Sequence, residues 1–162
     1  HGDFFWAKEK NTWLDDSLKT GCSSIYMSLF FYKKIAKELN LQDRVSDYQI
    51  KNLRECLLSN PNRFDRNWES KSRYSMDWYY PILTGVLNKP ESIKILRRKW
   101  DKFVVEGLGC KCVEEEPWVT AAESSELAIA LSRLGLKKEA EEVLQNTFLD
   151  NIRNYILIIG VY

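Results

Sequence analysis

The sequence predicts an all-α protein of tandem helical hairpins, half of an α/α toroid with about six main helices in an inner and an outer row. Three observations carry that expectation. A helix-ending pair recurs: Leu39-Asn40, Leu87-Asn88 and Leu134-Gly135 each close an apolar-periodic segment, at steps of 48 and 47 residues. A second helical pattern begins within a few residues of each pair. The segments also alternate in character, one apolar on several faces, the next apolar on one.

The first segment runs from Asp15 to Leu39. Leu18, Cys22, Ile25, Leu29, Tyr32, Ala36 and Leu39 recur at steps of four and three, the helical spacing. Its other faces carry Tyr26, Met27, Phe30, Phe31 and Ile35, so burial on more than one side is expected. The small-residue patch from Thr20 to Ser24 fits close helix packing. Ser46 to Ser59 is amphipathic, with Ile50, Leu53 and Leu57 on one stripe. Tyr74 to Leu87 is rich in aromatic and aliphatic residues, and Pro81 should kink it. Glu91 to Val105 places Ile93, Leu96, Trp100 and Phe103 opposite Lys94, Arg98 and Lys102, with Pro90 suited to its first turn. Thr120 to Leu134 is small and apolar, and 137 to about 152 is amphipathic again.

Two longer connections, 60–73 and 106–118, each lead into an inner helix. Loops of that length in a compact domain are usually functional or disordered, and their tryptophans argue for order. The alternation around Cys110, Cys112 and Val113 reads as a short hairpin. The chain starts at His1 without Met and stops at Tyr162 in an apolar stretch. We therefore expect residues 1–162 to be a single α/α-hairpin domain, a fragment cut at both ends from a longer repeat protein.

Composition narrows the partners. The net charge of +1 gives no basis for binding nucleic acid. No run of about 18 apolar residues exists to span a membrane. The four cysteines read as reduced thiols of a cytoplasmic protein. His1 is the only histidine, which disfavours a Cys/His metal site and excludes Ser-His-Asp chemistry. Without G-x-G-x-x-G or a P-loop, no cofactor is expected. Open repeat edges allow self-association. Six tryptophans invite a search for an aromatic-lined pocket.

That search leads to the N-terminal ends of the three inner helices. Trp13, Asp15 and Asp16 mark the first; Arg73, Asp77, Trp78 and Tyr79 the second; Trp118 and Glu123 the third. If the hairpins stack in parallel, these ends share a rim of acids and aromatics, suited to a sugar or a hydrocarbon cation. Acids in a first turn also cap N–H groups and favour the dipole, which accounts equally well for Asp15, Asp16 and Asp77. Glu123 is expected a turn deeper, where capping explains it less well. Trp13 and Trp118 fit hydrophobic staples, and Arg73 fits an ion pair with Asp77. The Glu114–Glu116 run reads as a solvated loop. Asp77 and Glu123 are the candidate catalytic pair; Trp13, Asp15, Asp16, Arg73, Trp78, Tyr79 and Trp118 are the candidate ligand-binding residues.

The stretches SRYSMDWYYP (72–81), GLGCKC (107–112) and EPWVTAAE (116–123) are similar to bacterial prenyltransferase-like proteins of the squalene-cyclase and prenyltransferase α/α-toroid superfamily. The resemblance covers roughly residues 1–153. It implies the toroid and an isoprenoid ligand, with Trp78, Tyr79 and Trp118 stabilising a cation. The chain departs from that superfamily's reactions. It lacks the cyclases' D-x-D-D motif and Q-x-x-x-G-x-W repeats, Leu14-Asp15-Asp16 being a partial echo. It also lacks the internal histidine of a protein prenyltransferase zinc site. Two alternatives stand beside the isoprenoid reading: a glycosidase-like enzyme using paired carboxylates, and a non-catalytic helical-repeat interaction module.

Overall fold

The computed structural model describes residues 8–9, 12–13 and 15–144. A two-residue antiparallel pair, β1 (Lys8–Glu9) and β2 (Thr12–Trp13), precedes the helices. Then follow α1 (Lys19–Glu38), α2 (Asp47–Ser59), 3-10 turns at Pro61–Arg63 and Lys71–Arg73, α3 (Ser75–Leu83) and α4 (Lys89–Phe103). The hairpin of β3 (Val104–Val105) and β4 (Gly109–Cys110) leads to α5 (Ala121–Arg133), and residues 137–144 are helical again. The expected continuation of that last helix to 152 lies outside the described residues. The fold is thus one of tandem helices, as the periodicity predicts. No helix among the described residues is long and apolar enough to cross a membrane.

Two of the three recurring marks are built alike. After α1, the Asn40 N–H bonds the Lys37 carbonyl and the Leu41 N–H bonds the Ala36 carbonyl, with Asn40 at φ +52°. After α5, Gly135 bonds Ser132 and Leu136 bonds Leu131, with Gly135 at φ +81°. Both are Schellman caps, whose left-handed residue satisfies carbonyls that the helix end leaves without donors. The middle mark is displaced. Thr84-Gly85 turns the chain with Gly85 at φ +76°, so α3 stops at Leu83 and not at Leu87. Pro81 sits in the last turn of α3 without breaking it. Replacing Gly135 by Ala should cost about 1 kcal/mol, because a Cβ disfavours φ +81°. Thermal denaturation of the variant measures this; the same change at Gly21, inside α1, has no such penalty.

The chain forms two compact units. The first lies within His1–Lys71 and Tyr80–Asn88. Its core joins Cys22 of α1 to Leu53, Cys56 and Leu57 of α2, with Phe64 and Val86. A capping box fixes the start of α2: the Ser46 hydroxyl accepts from the Gln49 N–H, and the Gln49 side chain accepts from the Ser46 N–H. The expectation that α1 is buried on several sides needs correcting. Phe30, Phe31, Tyr32 and Ile35 are all exposed, because within this unit the second half of α1 has α2 on one flank only.

The second unit comprises Ser72–Tyr79 and residues from Lys89 onward. Tyr79, Phe103, Leu127 and Leu131 are fully buried there. Trp78 packs edge-on against Tyr79 at 5.7 Å and tilted against Phe103 at 5.9 Å. Thr120 caps α5 by accepting from the Glu123 N–H.

Candidate functional site

The first helix begins at Lys19, so Asp15 and Asp16 lie before it and not in its first turn. Its cap residue, Leu18, makes no side-chain bond. Asp16 is instead 1% exposed and works as a staple between distant segments. Its carboxylate accepts from the backbone N–H groups of Ser17 at 2.7 Å, Arg66 at 3.0 Å and Asn67 at 2.9 Å. Burial alone would raise its pKa, but these N–H groups and the Arg66 charge outweigh burial and hold it below the ordinary 3.8. Asp15 bonds the Arg66 guanidinium at 2.9 Å, and its carbonyl accepts from Asn67 Nδ2. Trp13 lies in β2 and its side chain is outside the description.

In the second unit, a strand-like segment from Cys110 to Val113 is bonded on both sides. The Ser75 N–H at the start of α3 bonds the Cys112 carbonyl at 2.9 Å. On the other flank Cys112 N–H bonds the Trp118 carbonyl at 3.1 Å, and Thr120 N–H bonds the Cys110 carbonyl at 3.1 Å. Ser124, fully buried, locks the corner: its hydroxyl accepts from Cys110 N–H at 2.8 Å and donates to the Thr120 carbonyl at 2.7 Å. The expected hairpin in this connection is real, though it is centred on Val104–Cys110.

Glu123 sits in the first turn of α5, not a turn deeper. Thr120 and Glu123 have capping-box spacing, yet the Thr120 N–H is taken by Cys110, so the Glu123 carboxylate is released from that duty. The Cys112 thiol lies close enough to feel its charge. Burial first, and then this carboxylate, push the Cys112 thiol up to about 11; burial pushes Cys110 to about 12. Glu126, one helical turn on, accepts from the buried Tyr79 hydroxyl at 2.6 Å. Burial, reinforced by Glu126, raises the Tyr79 pKa above its ordinary range. Residues three apart on a helix are surface neighbours, with Cβ atoms about 5–6 Å apart. Glu123 and Glu126 are therefore neighbours along one face at the start of α5. Sequence reasoning passed over Glu126, although its i+3 relation to Glu123 was visible.

The other expected residues are spread around this corner. Asp77 lies in the first turn of α3, about 140° around the helix from the face by which Ser75, Trp78 and Tyr79 enter the core, at 100° per residue. Trp78 is core, and its indole N–H is buried without a partner among the described residues. Trp118 is 63% exposed, so it is not a staple; it offers a free ring face two residues before the α5 cap. Arg73 pairs with Glu115 and not with Asp77. Glu114 pairs with Lys102, which lowers its pKa, so the acidic run is tied down and not simply solvated. Two cavities, of about 740 Å³ between α1 and α2 and about 310 Å³ beside α4 and α5, are lined by none of the sequence-predicted site residues.

The Cys112–Glu123 contact gives a direct expectation. Cys112 should alkylate slowly with iodoacetamide at pH 7.5, and Glu123→Gln should speed it by removing the charge that opposes the thiolate. Mass spectrometry of the labelled peptide reads the rate.

No family model matches the chain. It is 35% identical over 141 residues to the MMP endo-(1,4)-3-O-methyl-alpha-D-mannosidase of Mycolicibacterium hassiacum. That alignment takes in 87% of this chain and 38% of the relative, so the chain spans well under half of the curated protein it matches. The relative is named for cleaving a mannoside and not for prenyl transfer or cyclisation. The comparison therefore supports the glycosidase alternative over the isoprenoid reading.

Proposed function

We propose that this chain carries part of a glycoside hydrolase site, in half of an α/α toroid, acting on an α-mannoside that bears 3-O-methyl groups. The observation that carries the reading is the 35% identity to a mannosidase across 87% of the chain. The two neighbouring carboxylates at the start of α5 support it. Hydrolysis of a glycosidic bond needs one carboxyl to protonate the leaving oxygen and a second to act as base or nucleophile. In this proposal Glu123 is the base or nucleophile. Half-buried at the α5 cap, it acts in the charged form that opposes the Cys112 thiolate. Glu126 is the other carboxyl, and adjacency on one helix favours the short separation of a retaining enzyme. Asp77, the partner expected from sequence, is the rival for that role. Trp118 supplies an apolar ring face for a sugar. Trp78 and Tyr79, buried in the same unit, shape this corner.

The test is hydrolysis of a 1,4-α-linked 3-O-methylmannose oligosaccharide, read as new reducing ends and product lengths. Loss of activity in Glu126→Gln with Asp77→Asn unaffected supports the adjacent pair; the converse assigns the other carboxyl to Asp77. Release of diphosphate from farnesyl diphosphate, with the mannoside left intact, would restore the isoprenoid reading.

A further inference from the structure

The cavity of about 740 Å³ between α1 and α2 belongs to no part of the hydrolase proposal, and its lining has a definite chemistry. Its floor is apolar: Tyr26 and Phe30 from α1, Ile50 from α2 and Leu41 from the connection. Phe30 and Leu41 remain 45% and 60% exposed, an unusual cost for large side chains facing water. The rim is cationic. Lys33, Lys34, Lys37, Lys51 and Arg54 line it, against two acids, Asp43 and Asp47. Both acids are already committed to Lys33, at 2.9 and 2.7 Å. The Val45 carbonyl takes a third bond from the same ammonium at 3.0 Å, so Lys33 is a structural strut across the α1–α2 connection. Lys51 reaches Glu55 at 3.7 Å on the exposed side. Lys34 lies over the Phe30 ring at 4.6 Å, and Lys37 and Arg54 have no ion pair among the described residues.

We infer that this groove binds a small anionic amphiphile, one apolar tail with one anionic head. The volume falls in the range of small-molecule sites, roughly 300–1,000 Å³. The apolar floor would take the tail, and Lys34, Lys37 and Arg54 the head. Charge complementarity selects an anion, because the lining carries five cations against two acids, and both acids lie on Lys33 and not on Lys34, Lys37 or Arg54. Concavity favours one molecule in the groove over a flat membrane surface.

Isothermal titration with sodium dodecanoate below its micellar concentration tests the inference on the whole chain. Saturable one-to-one binding is expected, weakened at least ten-fold in the Lys34→Glu/Lys37→Glu variant. Circular dichroism of that variant should be unchanged, since neither lysine holds a structural ion pair. Dodecanol should bind at least ten-fold more weakly than dodecanoate, and acetate without a tail should not register. The inference is overturned if dodecanoate does not bind, if the double variant binds it equally well, or if dodecanol binds as tightly. It is also overturned if phosphatidylserine vesicles are bound while monomeric dodecanoate is not.

Discussion

Glu123→Gln is expected to lower kcat for mannoside cleavage about 10³-fold, near 4 kcal/mol of transition-state stabilisation, while the fold stays intact. The size follows from the role. A glutamine has the shape of the carboxylate but no charge with which to attack the sugar or take a proton from water. The fold should survive because the cap of α5 does not use this carboxylate. Thr120 bonds the Glu123 backbone N–H, which glutamine keeps, and Cys110 occupies the Thr120 N–H. A melting temperature close to that of the parent, together with the loss in kcat, separates a chemical role from a structural one. Faster alkylation of Cys112 in the same variant shows that the substitution altered the intended contact.

Asp16→Ala should act in the opposite way, on stability first. It strips the acceptor from three backbone N–H groups in a site that is 1% exposed. Each orphaned buried donor costs on the order of 1 kcal/mol or more, so about 3 kcal/mol in all. For a domain of this size that lowers the melting temperature by about 10 °C. Asp16→Asn keeps one acceptor oxygen and should lose roughly half as much. The acid limb of stability tests the same contacts. The folded pKa lies below the unfolded value, so the ionised carboxylate favours the folded state. Its contribution is complete above about pH 4, shrinks as pH falls below the ordinary 3.8, and is gone once pH passes the lower folded value. The Ala variant should therefore show a flatter loss of stability between pH 5 and pH 2 than the parent, in urea titrations across that range.

What was legible in the sequence follows the range of the interactions. The Schellman caps at Leu39-Asn40 and Leu134-Gly135 are made by residues within one turn, so local reading located them. The same logic misplaced the end of α3, because Thr84-Gly85 supplied an earlier left-handed turn than Leu87-Asn88. Asp16 resembled a helix acid by position, but its partners lie 50 and 51 residues further along. No local pattern carries that information. Glu123 was singled out as lying a turn too deep to cap; it is in the first turn, and its carboxylate is left out of the cap because Cys110 has taken the Thr120 N–H. Arg73 and Trp118 were misread for the same reason. Their surroundings come from Glu115 and from the Cys110–Val113 segment, whose path the sequence does not reveal. The exposed aromatics of α1 were expected to be buried because helical periodicity reports apolar faces, not the neighbours that cover them.

The central claim is that a sugar is held and cleaved at the start of α5. Two-dimensional ¹H–¹⁵N spectra of the Glu123→Gln protein, titrated with a 1,4-α-linked 3-O-methylmannose oligosaccharide, test it most directly. The slowed variant leaves the ligand whole during the measurement. We predict shifts of the Trp118 indole and of the amides from Cys110 to Cys112 and Ala121 to Glu126. Saturable shifts confined to other segments, or no shifts at millimolar oligosaccharide, would contradict it.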